Sequence, residues 1–339
     1  MLETFTEERY HNDFKACKNF KERATKLLKT TKNPNVKINL RLFISEISSF
    51  IKGYHVKGFY FPITYLDGIH KEFQTLGEKP VEINDFRNIL LRYRAFPYFV
   101  GEIVRMMRKG IRKKLTSHEI SLKGVIDTCK QHATANPEDT PFYEPFKTFT
   151  IKLSEKMQQQ KRLEAIHSIK RYIQPAFLRL TEFLETEYIP ACRKDIAVTS
   201  LPKIGQQFYK ACLKFHTSTD LTAEEIHEIG LKEVARIQDD MRKIVIELGH
   251  DMSLSEFKEK LKNDKDTYYT SAQEVLDTAS TIVYDKIYPK LSQLFKSIPK
   301  SKLNITKSPT PLYPPAIYLT GTEDGSRPGQ LFVNNHDFR

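Results

Sequence analysis

Apolar side chains recur every three or four positions along most of the chain, the spacing that lines one face of an α-helix. The best-specified run is Ile226, Ile229, Val234, Ile237, Met241, Ile244 and Leu248. A Thr222/Glu225 capping box opens it and Gly249 stops it. A second stripe, Leu163, Ile166, Ile173, Phe177, Leu180 and Leu184, predicts a long helix that Pro175 kinks or restarts. Phe86, Ile89 and Leu90 predict a helix capped by Asn84, and Pro97 breaks it from a further stripe of Val100, Ile103, Met107 and Ile111. Thr4 with Glu7 and Ser253 with Glu256 mark two more helix starts, and Ser117 opens a helix carrying Ile120, Val125 and Ile126. Residues 132–146, with three prolines, read as a loop. Residues 188–205, punctuated by Pro190, Pro202 and Gly205, read as a connector. The division expected there separates an N-terminal helical region, 1–195, from a second region, 196–339. The period changes only late, where 316–319 and 330–333 read as two strands around a turn. The predicted class is mainly α: a helical multi-layer bundle with a small C-terminal β-hairpin or sheet fragment at 316–335.

At 339 residues the chain can bury a large core and has room for about two domains. Only 13 glycines among many Leu, Ile, Lys and Glu favour helix over a turn-rich β fold. Lys and Arg outnumber Asp and Glu by 54 to 42, a net +12. The local cluster Arg105, Arg108, Lys109, Arg112, Lys113 and Lys114 shares its segment with an apolar stripe, so it reads as the solvated face of an amphipathic helix. The sequence therefore gives no reason to expect a nucleic-acid or membrane partner. Cys17, Cys129, Cys192 and Cys212 lie far apart with no Cys-x-x-Cys pair, and read as reduced thiols. The charged start has no apolar signal region and no run is long enough to span a bilayer, so the expected location is cytoplasmic.

Zinc peptidases of the His-Glu-x-x-His type need two imidazoles one helical turn apart. His118-Glu119 and His227-Glu228 both lack the second His and read as ordinary polar residues at helix starts. The remaining histidines show no ligand spacing, and there is no Gly-x-Ser-x-Gly elbow, phosphate loop or dinucleotide fingerprint. The residues by themselves assemble no complete active site.

Two stretches carry more than periodicity. "LPKIGQQFYKACLKFHTSTDLTAEEIHEIGLKEVARIQDDM" (201–241) resembles the hallmark segment of the family catalogued as domain of unknown function 885. "AIYLTGTEDGSRPGQLFVNN" (316–335) is similar to the same family's Asp-Gly-Ser-Arg-Pro-Gly stretch. Weaker matches at 92–110, 141–145 and 188–193 extend the resemblance over most of the chain from about residue 50 onward.

The resemblance implies a largely helical, gluzincin-like zinc metallopeptidase. The family's metal motif, His-Glu, two residues, then Pro-Gly-His-His, follows shortly after the Asp-Gly-Ser-Arg-Pro-Gly strand, and this sequence ends before it. The expectation is a truncated or partial member, inactive as this chain, with no cofactor here and zinc only in a complete member. A peptide is the implied partner, and the oligomeric state is left open. By carry-over, 330–334 would offer a backbone edge to an extended peptide. The substrate-binding set would be Arg327, Gln330, Phe332, Asn334 and Asn335, with His216 from the first stretch. Beside this stand plainer readings: Ser326, Arg327, Pro328 and Gly329 build a turn, and Asp220 and Thr222 cap a helix. The rival function is a non-catalytic helical peptide-binding protein, a degenerate paralogue. A basic module for RNA or anionic membrane, resting on the +12 and the 105–114 cluster, ranks last.

Overall fold

Local capping chemistry sets most helix starts, and apolar burial decides where they run on. The computed structural model describes residues 4–71, 80, 82–149, 151–299, 301–308, 314–322 and 324–336. They form two compact units, Met1–Ile226 and His227–Arg339. The fold is mainly α, as expected, with one small sheet near the C-terminal end.

In the first unit, Thr6 caps α1 (Glu7–Thr30) by accepting from the Arg9 N–H at 3.2 Å, two residues later than the Thr4/Glu7 pattern suggests. Asn33 caps α2 (Pro34–His55), and the two helices form a hairpin. The next helix, α3 (Ile83–Arg112), starts from a Glu82/Asp85 capping box and not from Asn84. Pro97 lies inside α3 without breaking it. An interior proline costs about 3 kcal/mol. Phe86, Tyr93, Phe96, Val100, Ile103 and Met107 are all buried along that helix, each stabilising by about 1.5–3 kcal/mol, so burial wins.

The helix expected from Ser117 is a 3-10 turn, Glu119–Leu122, capped by His118 Nδ1, which accepts from the Ile120 N–H at 3.1 Å. Gly124 then turns the chain at φ +77°, and α4 (Val125–Thr134) follows. The proline-rich loop holds two 3-10 turns, Pro137–Asp139 and Pro141–Tyr143. α5 (Glu155–Ser168) passes through a π-helical turn, Ile169–Ile173, into α6 (Gln174–Phe183), with Pro175 in the first turn of α6. This is the restart that the sequence predicts. The core packs α3, α4 and α6 around Phe96, Phe142 and Phe177, with the His132 ring 4.9 Å from Phe177. Burial pushes the Cys129 thiol up to about 12 and that of Cys192 to about 11, and all four cysteines are free. α7 (Gly205–Thr217) begins at a glycine because a Cβ there would lie 2.3 Å from the Thr199 carbonyl oxygen.

The division between units falls within α8 (Ala223–Glu247). In the second unit the Ser253/Glu256 box opens α9 (Leu254–Asn263), and α10 (Ala272–Thr281) follows. The two predicted strands are present as β2 (Ala316–Leu319) and β3 (Gln330–Val333), paired antiparallel. A further strand, β1 (Asn304–Lys307), pairs parallel with β3, giving the order β1-β3-β2.

Candidate functional site

The sheet of the second unit carries five of the six residues named from the sequence. Tyr284 Oη donates to the Leu303 carbonyl, and the Leu303 N–H donates to Tyr288 Oη at 2.7 Å, which fixes the entry to β1. The Asn304 N–H donates to the Gly329 carbonyl and the Ser308 N–H to the Val333 carbonyl, both at 2.8 Å, so β1 is held at each end. Between β2 and β3 the chain closes a polar turn. Thr322 Oγ1 accepts from the Arg327 N–H at 2.9 Å, and Asp324 Oδ1 accepts from the Ser326 N–H at 3.0 Å and from its hydroxyl at 2.7 Å. Hydrogen bonds from Thr322, then Ser326, hold the Asp324 carboxyl down at about 2. The Tyr318 ring packs over Gly329, where a Cβ would lie 2.8 Å from Tyr318 Oη and oblige that exposed ring to shift.

Side chains alternate across a strand. Gln330, Phe332 and Asn334 therefore share one face of β3, half-buried, and Thr306 sits opposite Phe332 in register. Asn335 lies on the other face with buried Val333, and its Nδ2 donates to the Ala272 carbonyl at 2.8 Å, tying the end of β3 to α10. Asn335 Oδ1 and Thr306 Oγ1 are buried without a hydrogen-bond partner, a cost of about 1–3 kcal/mol for each such group. The Arg327 side chain is exposed at the turn.

One expectation is corrected here. β3 is the central strand, so both of its backbone edges are taken, and 330–334 cannot offer one to a peptide. Among the described residues the outer edges belong to β1 and β2. The cause is β1, whose four residues, Asn-Ile-Thr-Lys, give no alternating signal.

His216 belongs to the first unit, exposed in the last turn of α7 with its ring edge-on to Phe215. The residues that follow it form a compact polar corner. Ser218 ends α7 in the left-handed region, at φ 56°, and the Thr217 and Thr219 hydroxyls lie 2.8 Å apart. Thr222 and Glu225 bond reciprocally at 2.7 and 3.2 Å, as the sequence predicts. Asp220 does not cap; its carboxylate pairs with Lys214 at 2.8 Å and is held below its ordinary pKa by Lys214 first, then Lys52 and Lys210. These cations, with His55 and Leu221, line a cavity of about 380 Å³ between α2 and α7. Composition gives no hint of that cavity, because Lys52 and Asp220 are far apart in sequence.

Among the described residues no group of three or more His, Cys, Asp or Glu could hold a metal ion. His118 caps a turn, and His227 stands near the start of α8. The donor set of these residues does not fit zinc. Among the described residues no helix is long and apolar enough to cross a membrane.

Comparison with known proteins places the fold. A crystal structure described as that of "the putative lipoprotein from Colwellia psychrerythraea" superposes with a TM-score of 0.85 at 17% identity, covering 99% of this chain. This chain in turn spans 61% of that protein's chain. No curated protein matches. The profile described as "Bacterial protein of unknown function (DUF885)" matches residues 1–339, and the chain belongs to that family.

Proposed function

We propose that this chain supplies the helical scaffold and a strand-built peptide-binding wall of a larger zinc-metallopeptidase-like protein, and that hydrolysis belongs to the complete parent. Alone, the chain binds an extended peptide and does not cleave it. The observation that carries this reading is the sheet. β2 has an outer edge among the described residues, beside the central strand whose half-buried face carries Gln330, Phe332 and Asn334. A peptide added along β2 would gain backbone hydrogen bonds, the usual source of affinity in strand addition. Arg327 at the turn is placed to meet a peptide carboxylate, and Asn334 offers an amide. Asn335 acts by holding β3 to α10, and His216 is proposed as a contact of the complete parent only.

The rival reading, a non-catalytic peptide-binding protein, rests on the same sheet. The two part on the uncovered apolar helix faces of the second unit. A portion of a larger protein exposes them and binds hydrophobic dye before its melting transition. A finished binding protein melts cooperatively without early dye binding. Stoichiometric zinc uptake with chelator-sensitive peptide cleavage by the purified chain would overturn both.

A further inference from the structure

The hairpin of α1 and α2 is the part of the first unit that the core does least to hold. Of its side chains only Ala24 and Ile47 are buried. Its anchors lie at the open end. The Phe5 N–H donates to the buried Glu102 carboxylate at 2.8 Å, Glu7 meets Tyr60 Oη and, at 2.6 Å, Lys109 Nζ, and Phe14 stacks on Tyr54 at 4.4 Å. The other end carries the charge of the protein. Residues 14–45 hold nine Lys and Arg against the single acid Glu22, a local +8 beside +12 for the whole chain. None of the nine forms an ion pair with a described residue.

Apolar side chains stand among these cations in the open. Phe20, Leu27 and Phe43 are exposed, Ile38 is 54% exposed and Leu42 61%. At roughly 3.6 residues per turn, Ile38 and Leu42 stand one above the other along α2, and Val36 and Phe43 form a second row about a third of a turn away.

We infer that the α1–α2 hairpin docks the protein on an anionic lipid surface, its cations at the headgroups and its apolar side chains in the boundary beneath. Basic helices with exposed Phe and Leu bind such surfaces by both forces together. A nucleic acid would neutralise the lysines but leave Leu27, Ile38 and Leu42 in water, since base stacking needs flat rings. A second copy of the hairpin is opposed by its own +8. A lipid surface meets both the charge and an apolar exposure spread over two helices, Phe20 and Leu27 on α1 and Ile38, Leu42 and Phe43 on α2. This site is independent of the sheet and of any peptide chemistry.

The test is co-sedimentation of the full chain with phosphatidylcholine vesicles, with and without phosphatidylserine, over a range of salt. The chain is expected to bind the phosphatidylserine vesicles and not the neutral ones, with affinity falling as salt rises. Replacing Lys26→Gln with Lys29→Gln lowers that affinity on the order of tenfold. Leu42→Gln with Phe43→Ser lowers it at unchanged charge, and because both positions are exposed the melting curve stays in place. Equal binding to the two vesicle types, or affinity unaltered in either variant pair, overturns the proposal. So does tighter binding to duplex RNA that the Leu42/Phe43 pair does not affect.

Discussion

The two units bury apolar surface very differently. In the first, Phe86, Phe96, Phe146, Phe177 and Tyr188 are fully buried around one continuous core. In the second, Val245 and Val333 are the only buried apolar side chains among the described residues, while Ile229, Val234, Ile237 and Ile244 stand exposed along α8. Yet the second unit's local helix signals are as clear as the first's, with a capping box at Ser253 beside those at Glu82 and Thr222 in the first unit. Caps and hydrogen bonds define helices, but each contributes only about 1 kcal/mol. Burial is what makes a unit self-sufficient. The first unit has its own core, and the second leaves the apolar side chains of α8 exposed.

The largest test of that contrast is a pair of truncations. Phe177→Ala, in the middle of the first core, should cost about 3–5 kcal/mol in a denaturation experiment. Ile244→Ala, on the open face of α8, should stay within about 0.5 kcal/mol. Equal costs would mean that the second unit has a packed core after all.

A pH titration sharpens the same contrast from the first unit alone. Burial, and then the charge of Lys71, depresses the His70 imidazole from 6.5 to about 4, and burial lowers His132 as well. The fold thus favours neutral His70. Between pH 6.5 and about 4 the unfolded chain binds the extra proton, so stability falls as pH falls through that window and levels below it. The loss from His70 is on the order of 3 kcal/mol. His70→Gln should flatten that slope in melting curves taken across the window, and an unchanged slope would assign it to other groups.

The smallest of the three concerns α8, which crosses between the units. Thr222→Ala removes the reciprocal bond with Glu225 and should cost about 1 kcal/mol, seen as fraying of the first turn by amide exchange.

Local chemistry was legible in the sequence in most places where the partners lie within a few residues, though Thr6 caps in place of Thr4 and Glu82 in place of Asn84. The Thr222/Glu225 and Ser253/Glu256 boxes, the restart at Pro175 and the strands at 316–319 and 330–333 are all of that kind. What else failed depends on distant partners. Pro97 stays in a helix because of burial contributed from α4 and α6. β3 loses its free edge to β1, which four mostly polar residues do not announce. The site residues Arg327, Gln330, Phe332, Asn334, Asn335 and His216 came from family resemblance and from no spacing rule, since no periodicity marks a face shaped by three strands. The basic hairpin at 14–45 was passed over for the 105–114 cluster, because what sets it apart, the exposure of Ile38 and Leu42 among its cations, is a tertiary fact.

The peptide-binding wall is tested most directly by amide exchange on the purified chain with and without a saturating extended peptide. The account predicts slower exchange at 316–319, along the outer edge of β2, with the peptide recovered intact. Exchange there that the peptide leaves unaltered would contradict it, as would cleavage of the peptide by the chain alone.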